Sequence, residues 1–134
     1  MAPEARMELD AALGSAATAR QFVRSVLDAW DCDDPEEIAI LLTSEVVSNA
    51  VIHAATRLAL DVCWDDEAQM LRVEVRDGDE RPPRHQHPAI DASGGRGIML
   101  VESLARRWGS EPEDGGKVVW FELNARRRQR DGVN

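Results

Sequence analysis

The sequence predicts an α+β fold, a two-layer sandwich in which helices cover one face of a mixed, mostly antiparallel sheet. Three segments have apolar residues at helical spacing, and two pairs of segments alternate in the way that antiparallel hairpins do. They follow one another as helix, helix, strand, strand, loop, helix, strand and strand. This order needs few crossovers, and the length of 134 residues suits one domain with a sizeable core.

Two helices are predicted in the first half of the chain. The first runs from about Ser15, whose hydroxyl can cap its start, to Trp30, and the turn DCDDP ends it. The second begins at Pro35, a residue type that suits the first helical position, and Asp34 is a natural cap for it. Two glutamates follow in a first turn that favours negative charge, and the helix continues to about His53.

A hairpin and a long loop follow these helices. Residues 58–64 and 71–76 alternate apolar with smaller or polar side chains, which indicates two antiparallel strands with one wet face. The loop at 80–94 is longer than most connections inside a compact domain, and such loops are usually functional or disordered. A short edge strand near Met7 can precede the first helix.

The last third of the chain predicts one more helix and one more hairpin. The helix covers IMLVESLARRW, residues 98–108, whose apolar positions fit a partly buried surface. A short strand at 108–111 and a stronger one at 117–123 are joined by a turn at Gly115-Gly116.

Composition and charge exclude several classes of function. A formal net charge of −9 argues against nucleic acid or an anionic membrane as the main partner, because both need a basic face. The two cysteines match no metal-binding spacing, and no segment has the length of a signal-peptide core or a membrane span, so a cytoplasmic protein is expected. One domain is predicted over 1–134, with its core at about 9–123 and a basic, disordered tail at 124–134.

The second helix carries a polar stripe on an otherwise apolar rod. Its apolar residues point in nearly every direction, which predicts a helix buried all round. Glu45, Asn49 and His53 are each four residues apart, so they lie one above another along the helix. A buried carboxylate is costly unless it is paired or neutral, so the stripe is expected to face a polar binding pocket. The alternative is that these side chains bond only to neighbouring protein groups.

Two further segments carry polar or glycine residues at element ends. Asp77 and Gly78 end a predicted central strand, where a carboxylate can accept a hydrogen bond from an exocyclic amine; a turn-forming Asp-Gly is the alternative. Gly95 and Gly97 lack Cβ atoms and open a helix, so backbone N–H groups there can approach phosphates closely. The sequence contains no GxxxxGK[ST] motif and no dinucleotide fingerprint.

In this order, the pieces resemble the ATP-binding motifs of the GHKL superfamily, which has the Bergerat fold. The motifs are the polar stripe, Asp77-Gly78, the GRGIMLV segment from Gly95 and the GGKVVWF segment from Gly115. Within the superfamily, the chain is most similar to the small anti-sigma factors and serine-protein kinases of bacterial partner switching. The resemblance covers about residues 9–123.

The resemblance implies ATP and Mg²⁺ as cofactors and assigns roles to the residues. Asn49 would hold Mg²⁺, a hard cation that prefers oxygen ligands, against the ATP phosphates. Glu45 would be the catalytic base that activates the attacking hydroxyl, and Asp77 would accept from the adenine amino group. The remaining nucleotide-binding residues that it implies are His53, Gly78, Gly95, Arg96, Gly97 and Ile98.

The resemblance also implies partners. The protein would regulate transcription by binding a sigma factor of RNA polymerase, and it would phosphorylate a Ser or Thr of a STAS-type anti-sigma antagonist. A homodimer is compatible with this family, whereas nucleic acid and membrane are not expected partners. The ATPase portion of a sensor kinase is a lower-ranked alternative.

Two departures from the family pattern keep another alternative open. Asp79 stands where a glycine is expected, and Lys117-Val118 replaces a hydroxyl residue after the last-strand glycine. Both predict weak or regulated nucleotide affinity. The alternative function is therefore a non-catalytic nucleotide-binding partner-switch module without kinase activity.

Overall fold

The computed structural model describes residues 3–79 and 97–127. In chain order the elements are β1 (Glu4–Leu9), α1 (Ser15–Ala29), β2 (Cys32–Asp34), α2 (Glu36–His53), β3 (Leu58–Asp65), β4 (Met70–Asp77), α3 (Gly97–Leu104), β5 (Arg107–Glu113), β6 (Gly116–Asn124) and β7 (Arg126–Arg127). The predicted edge strand near Met7 is confirmed as β1. No helix in the described ranges is long and apolar enough to cross a membrane.

The main sheet has five strands in the order β1-β3-β4-β6-β5, and every neighbouring pair is antiparallel. Along β3 and β4, buried side chains alternate with half-buried ones, so one face of the sheet packs against the helices and the other is wetter. The largest fully buried side chains come from both layers: Trp64, Phe121, Leu27, Leu42, Leu58, Leu60 and Leu71. The predicted α+β class is confirmed.

The start of each of the first two helices differs from the prediction. Gly14, not Ser15, is the N-cap of α1, and the Ser15 hydroxyl instead donates to the Asp10 carbonyl oxygen. Asp34 does not cap α2, because its backbone pairs with Arg126 in β2; Pro35 is the N-cap and provides no side-chain bond. The two differences have the same cause. Each expected capping residue makes a contact outside its helix instead of capping the helix.

Residues 124–127 form regular structure, which corrects the prediction of a disordered segment at 124–134 for these four residues. Asn124 ends β6, and β7 pairs with β2 to make a second, two-stranded sheet. Between these strands Ala125 is buried, and its N–H donates to the Gln69 carbonyl oxygen at 3.0 Å. The segment DCDDP is therefore half of a strand pair and not only a turn. Residues 128–134 lie outside the described ranges.

The third helix is shorter than the predicted one, which extended to Trp108. It ends at Leu104, and the Arg106 N–H already donates to the Glu122 carbonyl oxygen at 2.8 Å. Trp108 lies in β5 opposite Phe121, and β5 is longer than the strand predicted at 108–111. The apolar spacing of this segment fits both a helix and a strand, and pairing with β6 decides between them.

Candidate functional site

The polar stripe of α2 combines different degrees of burial. Asn49 is 4% exposed, whereas Glu45 and His53 are half-buried. Asn49 and His53 each have an interaction partner within the protein. The spacing of four residues therefore places one buried amide between two partly accessible ionisable side chains on successive turns.

The prediction that α2 is buried all round is wrong for the residues that the structure describes. Ile38 and Leu41 are 36% and 39% exposed, and Ile52 is 50% exposed. With half-buried Glu45, these side chains form one accessible strip at helical spacing. The apolar composition of the helix thus serves two purposes, a core contact on one side and an accessible surface beside Glu45 on the other.

The electrostatic environment of Glu45 includes a cation from α1. Burial raises the pKa of the Glu45 carboxyl above its ordinary value, and the positive charge of Arg20 offsets part of that rise. The Arg20 guanidinium donates to the hydroxyl of Ser44, the residue before Glu45, at 2.8 Å. This hydrogen bond keeps the positive charge of Arg20 close to Glu45. Glu45 can accept a proton, and its basicity depends on a residue of another helix.

Asp77 lies at the end of β4, directly opposite Lys117 of β6. The Lys117 Nζ lies 3.0 Å from Asp77 Oδ2 and 3.3 Å from Oδ1, and the two side chains are only 7% and 1% exposed. The Asp79 N–H donates to Oδ1 at 2.7 Å. Oδ2 is in Coulombic contact with the ammonium but accepts no hydrogen bond among the described residues. One buried oxygen at this strand end can therefore still accept a hydrogen bond.

Gly116 is required by the close approach of β6 to the end of β4. A Cβ at this position would lie 1.9 Å from the Asp77 carbonyl oxygen and 2.9 Å from the Gly78 Cα. The preceding Gly115 has φ +72°, the left-handed region that glycine adopts without strain. The two glycines predicted as a turn thus have separate tasks, and Gly116 brings Lys117 next to Asp77.

Thr56 links the C-terminal end of α2 to the same strand end. It lies in the short connection between α2 and β3, and its hydroxyl oxygen accepts from the Gly78 N–H at 2.7 Å. This contact places the His53 end of the polar stripe near Asp77. Neither the contact of Thr56 nor the pairing of Lys117 with Asp77 was predicted from the sequence. A basic residue directly after the hairpin glycines was the one available signal for Lys117.

The remaining predicted site residues are described only in part. Gly97 is the first residue of α3 and Ile98 follows it, which confirms a helix start at this point of the chain. Gly95 and Arg96 lie outside the described ranges. Within 3–79 and 97–127, no group of three or more His, Cys, Asp or Glu side chains could hold a metal ion.

Residues 9–123 match the family model of the histidine kinase-like ATPase domain. The chain belongs to this family. Its membership confirms the resemblance to GHKL-type ATPases and makes ATP the ligand to be expected, as the description of the family implies. The roles of individual residues and the use of Mg²⁺ remain predictions.

The chain is also similar to solved structures. The crystal structure of the RsbU and RsbW domains of Rv1364c from Mycobacterium tuberculosis matches with a TM-score of 0.71 and 20% sequence identity, over 96% of this chain and 34% of that one. This chain thus spans about a third of that protein's length. The histidine kinase domain of the Erythrobacter litoralis EL346 blue-light activated histidine kinase matches with a TM-score of 0.47 and 24% identity, over 66% of this chain and 44% of that one. No curated protein matches the sequence.

Proposed function

We propose that this protein is an ATP-binding anti-sigma regulatory factor that sequesters a sigma factor and phosphorylates a Ser or Thr of a STAS-type anti-sigma antagonist. The observation that carries the proposal is the convergence of two groups of residues on one end of the sheet. The hydrogen bond of 2.7 Å from the Gly78 N–H to Thr56 brings the C-terminal end of α2, where the polar stripe ends at His53, close to the strand end that carries Asp77. Membership of the histidine kinase-like ATPase family and the similarity to a structure that contains an RsbW domain support it.

The base end of the proposed ATP site is Asp77. Its Oδ2 atom is buried and accepts no hydrogen bond among the described residues, which fits an exocyclic amine as the missing donor. Gly116 lets the strands approach so closely that the carboxylate is fixed at the strand end. An amino group bound there would donate to an oxygen that has a charge partner but accepts no hydrogen bond among the described residues.

The phosphate end is proposed to lie along the polar stripe. Glu45 is eight residues from His53, which corresponds to about 12 Å along the helix axis. Mg²⁺ commonly binds through one or two protein oxygens and the substrate phosphates. Asn49 would provide the protein oxygen, and the cation would neutralise phosphate charge.

Glu45 is proposed to be the catalytic base. The hydroxyl of the antagonist gives its proton to the Glu45 carboxylate, its oxygen bonds to the γ-phosphorus, and the bond from that phosphorus to the bridging oxygen of ADP breaks. The half-buried position of Glu45 leaves it accessible to a protein substrate. Apolar Ile38, Leu41 and Ile52 beside it offer a surface on which that substrate can dock.

Phosphate transfer tests the enzymatic part of the proposal. Partners are first captured from native lysate with and without MgATP, and any captured STAS protein is then incubated with the regulator and γ-labelled ATP. Label is expected to move to the antagonist, and Glu45→Gln is expected to reduce transfer by at least about 100-fold, the usual scale of a lost catalytic base. Glu37→Gln, an exposed glutamate on the same helix, is the matched control. Recovery of neither a sigma factor nor a STAS protein would contradict the regulatory function.

A second function is favoured by the pairing of Asp77 with Lys117. Because the ammonium already neutralises the carboxylate, the protein can keep this site stable without a nucleotide, as a binding module without kinase activity would. MgATP binding and partner binding without any label transfer would identify this second function.

A further inference from the structure

Lys117 is the only lysine in the 134-residue sequence, and it lies at the base end of the proposed ATP site. Its ammonium donates to Asp77 Oδ1 at 3.3 Å and to the Asp79 carbonyl oxygen at 3.1 Å, which leaves one N–H for a further acceptor. Asp77 Oδ2 lies 3.0 Å from the same nitrogen as its charge partner. The Lys117 side chain is 7% exposed, so its charge is largely removed from water. The other fifteen of the sixteen Lys and Arg residues are arginines. Among the described residues, only Lys117 forms an ion pair with Asp77.

The charge next to Asp77 changes what kind of base this end of the site can bind. A buried carboxylate without a cation accepts from the 6-amino group of adenine and repels the 6-carbonyl oxygen of hypoxanthine or guanine. A buried ammonium beside it cancels this repulsion and adds a hydrogen-bond donor. The Asp77–Lys117 pair therefore presents an acceptor and a donor side by side.

We propose that Lys117 is a base-selecting residue that allows 6-oxopurine nucleoside triphosphates to bind this site about as well as ATP. The inference rests on the proposed function, because it requires that Asp77 faces the base. A 6-amino group would donate to Asp77 Oδ2, the oxygen that accepts no hydrogen bond among the described residues. A 6-carbonyl oxygen would accept from Lys117 Nζ, and the adjacent ring N1–H would donate to Asp77.

Competition between nucleotides tests this inference on the whole chain. Labelled ATP bound in the presence of Mg²⁺ is displaced with unlabelled ATP or with inosine triphosphate, which has the 6-carbonyl group but not the 2-amino group of guanine. The wild-type protein is expected to bind ATP and inosine triphosphate with dissociation constants within about tenfold of each other. Lys117→Met is expected to weaken the binding of inosine triphosphate relative to that of ATP by a further factor of about 10 to 100. This is the effect of losing one hydrogen bond from a charged donor.

Arg57→Met is the matched control. Arg57 is a cation next to Thr56, but its side chain is 67% exposed and pairs with Glu8 and Asp10, so its loss is expected to leave the nucleotide preference unchanged. Wild-type discrimination against inosine triphosphate by more than about tenfold, or an unchanged preference in Lys117→Met, would overturn the role of Lys117. If the wild-type protein binds ATP but not inosine triphosphate, only this inference is overturned. If it binds neither nucleotide, the proposed function is overturned as well.

A second measurement keeps the test valid if Lys117→Met fails to fold, since that variant leaves Asp77 without its cation. Labelling lysine with ¹⁵N at the side-chain nitrogen gives one resonance, because the chain has one lysine. Inosine triphosphate is expected to shift this resonance more than ATP does. A resonance that responds to ATP and not to inosine triphosphate would overturn the inference.

Discussion

At the scale of single residues, the site depends on a contact that leaves no room for a side chain. A Cβ on residue 116 would lie only 1.9 Å from the Asp77 carbonyl oxygen. Because this oxygen belongs to the backbone, it cannot rotate away as a flexible side chain could. Substitution of Gly116 therefore has to move β6 away from β4. Such a shift also separates Lys117 from Asp77, because the two are opposite each other in the strand register.

Gly116→Ala is predicted to reduce the free energy of unfolding by about 1–3 kcal/mol or more, as overpacking in a well-packed interior does. Chemical denaturation of the purified variant measures this. Gly14→Ala is the control, because a Cβ at Gly14 meets nothing within 4 Å, and the loss of a glycine N-cap is expected to cost less than about 1 kcal/mol. Equal stability of Gly116→Ala and the wild-type protein would show that the two strands do not approach in this way.

A second prediction at this scale concerns the pH dependence of phosphate transfer. Transfer needs ionised Glu45, so the rate is lost as pH falls through the pKa of this carboxyl. Arg20→Gln removes the charge that lowers that pKa, and the loss is then expected to begin at a higher pH, with little change in alkaline solution. Rate–pH profiles of Arg20→Gln and of the control Arg24→Gln, an exposed arginine one turn along α1, check the shift. Identical profiles would mean that Arg20 does not tune Glu45.

At the scale of elements, the wetter face of the sheet carries a network of charges around Arg72. The guanidinium donates to Glu74 at 2.6 Å and to Glu122 at 2.7 Å, and it lies 4.1 Å from the centre of the Trp120 ring. Burial by itself raises the pKa of the Glu74 and Glu122 carboxyls, but hydrogen bonds and charges from neighbouring arginines outweigh it and hold both pKa values below the ordinary value. The network links β4 to β6 from the side opposite the helices.

This network predicts a loss of stability in acid. A carboxyl with a lowered pKa in the folded state stabilises the protein above the pKa of the unfolded chain, about 4.3 for Glu, and this contribution disappears as pH falls through the folded value. Thermal melts between neutral pH and pH of about 3 are expected to show that decline. Arg72→Met should flatten it, whereas Arg6→Met, which removes a more exposed ion pair at 3.7 Å, should not. If the melting temperature falls equally steeply with pH in all three proteins, the Arg72 network is not the cause of the loss of stability in acid.

The elements also show where sequence patterns suffice. The alternation in β3 and β4 was enough to predict these strands, because its period reports which face is buried. The apolar run of α2 was enough to predict the helix, but it did not predict the accessible strip along it. The end of α3 and the start of β5 were not predictable, since Trp108 fits either pattern and only its pairing opposite Phe121 decides. The caps of α1 and α2 failed for the same reason, a tertiary contact that local sequence does not contain.

At the scale of the whole molecule, the C-terminal segment closes the fold onto its N-terminal half. β7 pairs with β2, which lies between α1 and α2, and so links Arg126 and Arg127 to the start of the helix that bears the polar stripe. Ala125 belongs to the hydrophobic core. The β7 strand therefore contributes to the position of α2.

A chain that ends after Asn124 is predicted to be about 1–3 kcal/mol less stable than one that ends after Arg127, from lost strand hydrogen bonds and the exposure of apolar surface around Ala125. Urea denaturation of the two truncated proteins measures the difference, and the longer one is the control. The shorter chain is also expected to bind MgATP more weakly. Indistinguishable unfolding curves would show that the β2–β7 pair is energetically unimportant.

The composition of the site was predictable only in part. Glu45, Asn49 and Asp77 could be proposed because polar residues at buried positions stand out against an apolar pattern. Lys117 and Thr56 could not, because they meet Asp77 and Gly78 only after the sheet has formed, over separations of 40 and 22 residues in the chain. Long-range partners of this kind are set by topology and register, which no local pattern specifies.

We expect MgATP to bind between one end of the sheet and the polar stripe of α2. A titration of the ¹⁵N-labelled protein with MgATP, followed through its amide resonances, locates the site without a prior choice of residues. The largest shifts are expected to fall together on Asn49, His53, Asp77, Gly78 and Lys117. Shifts confined to other parts of the molecule, or none at millimolar MgATP, would contradict this expectation.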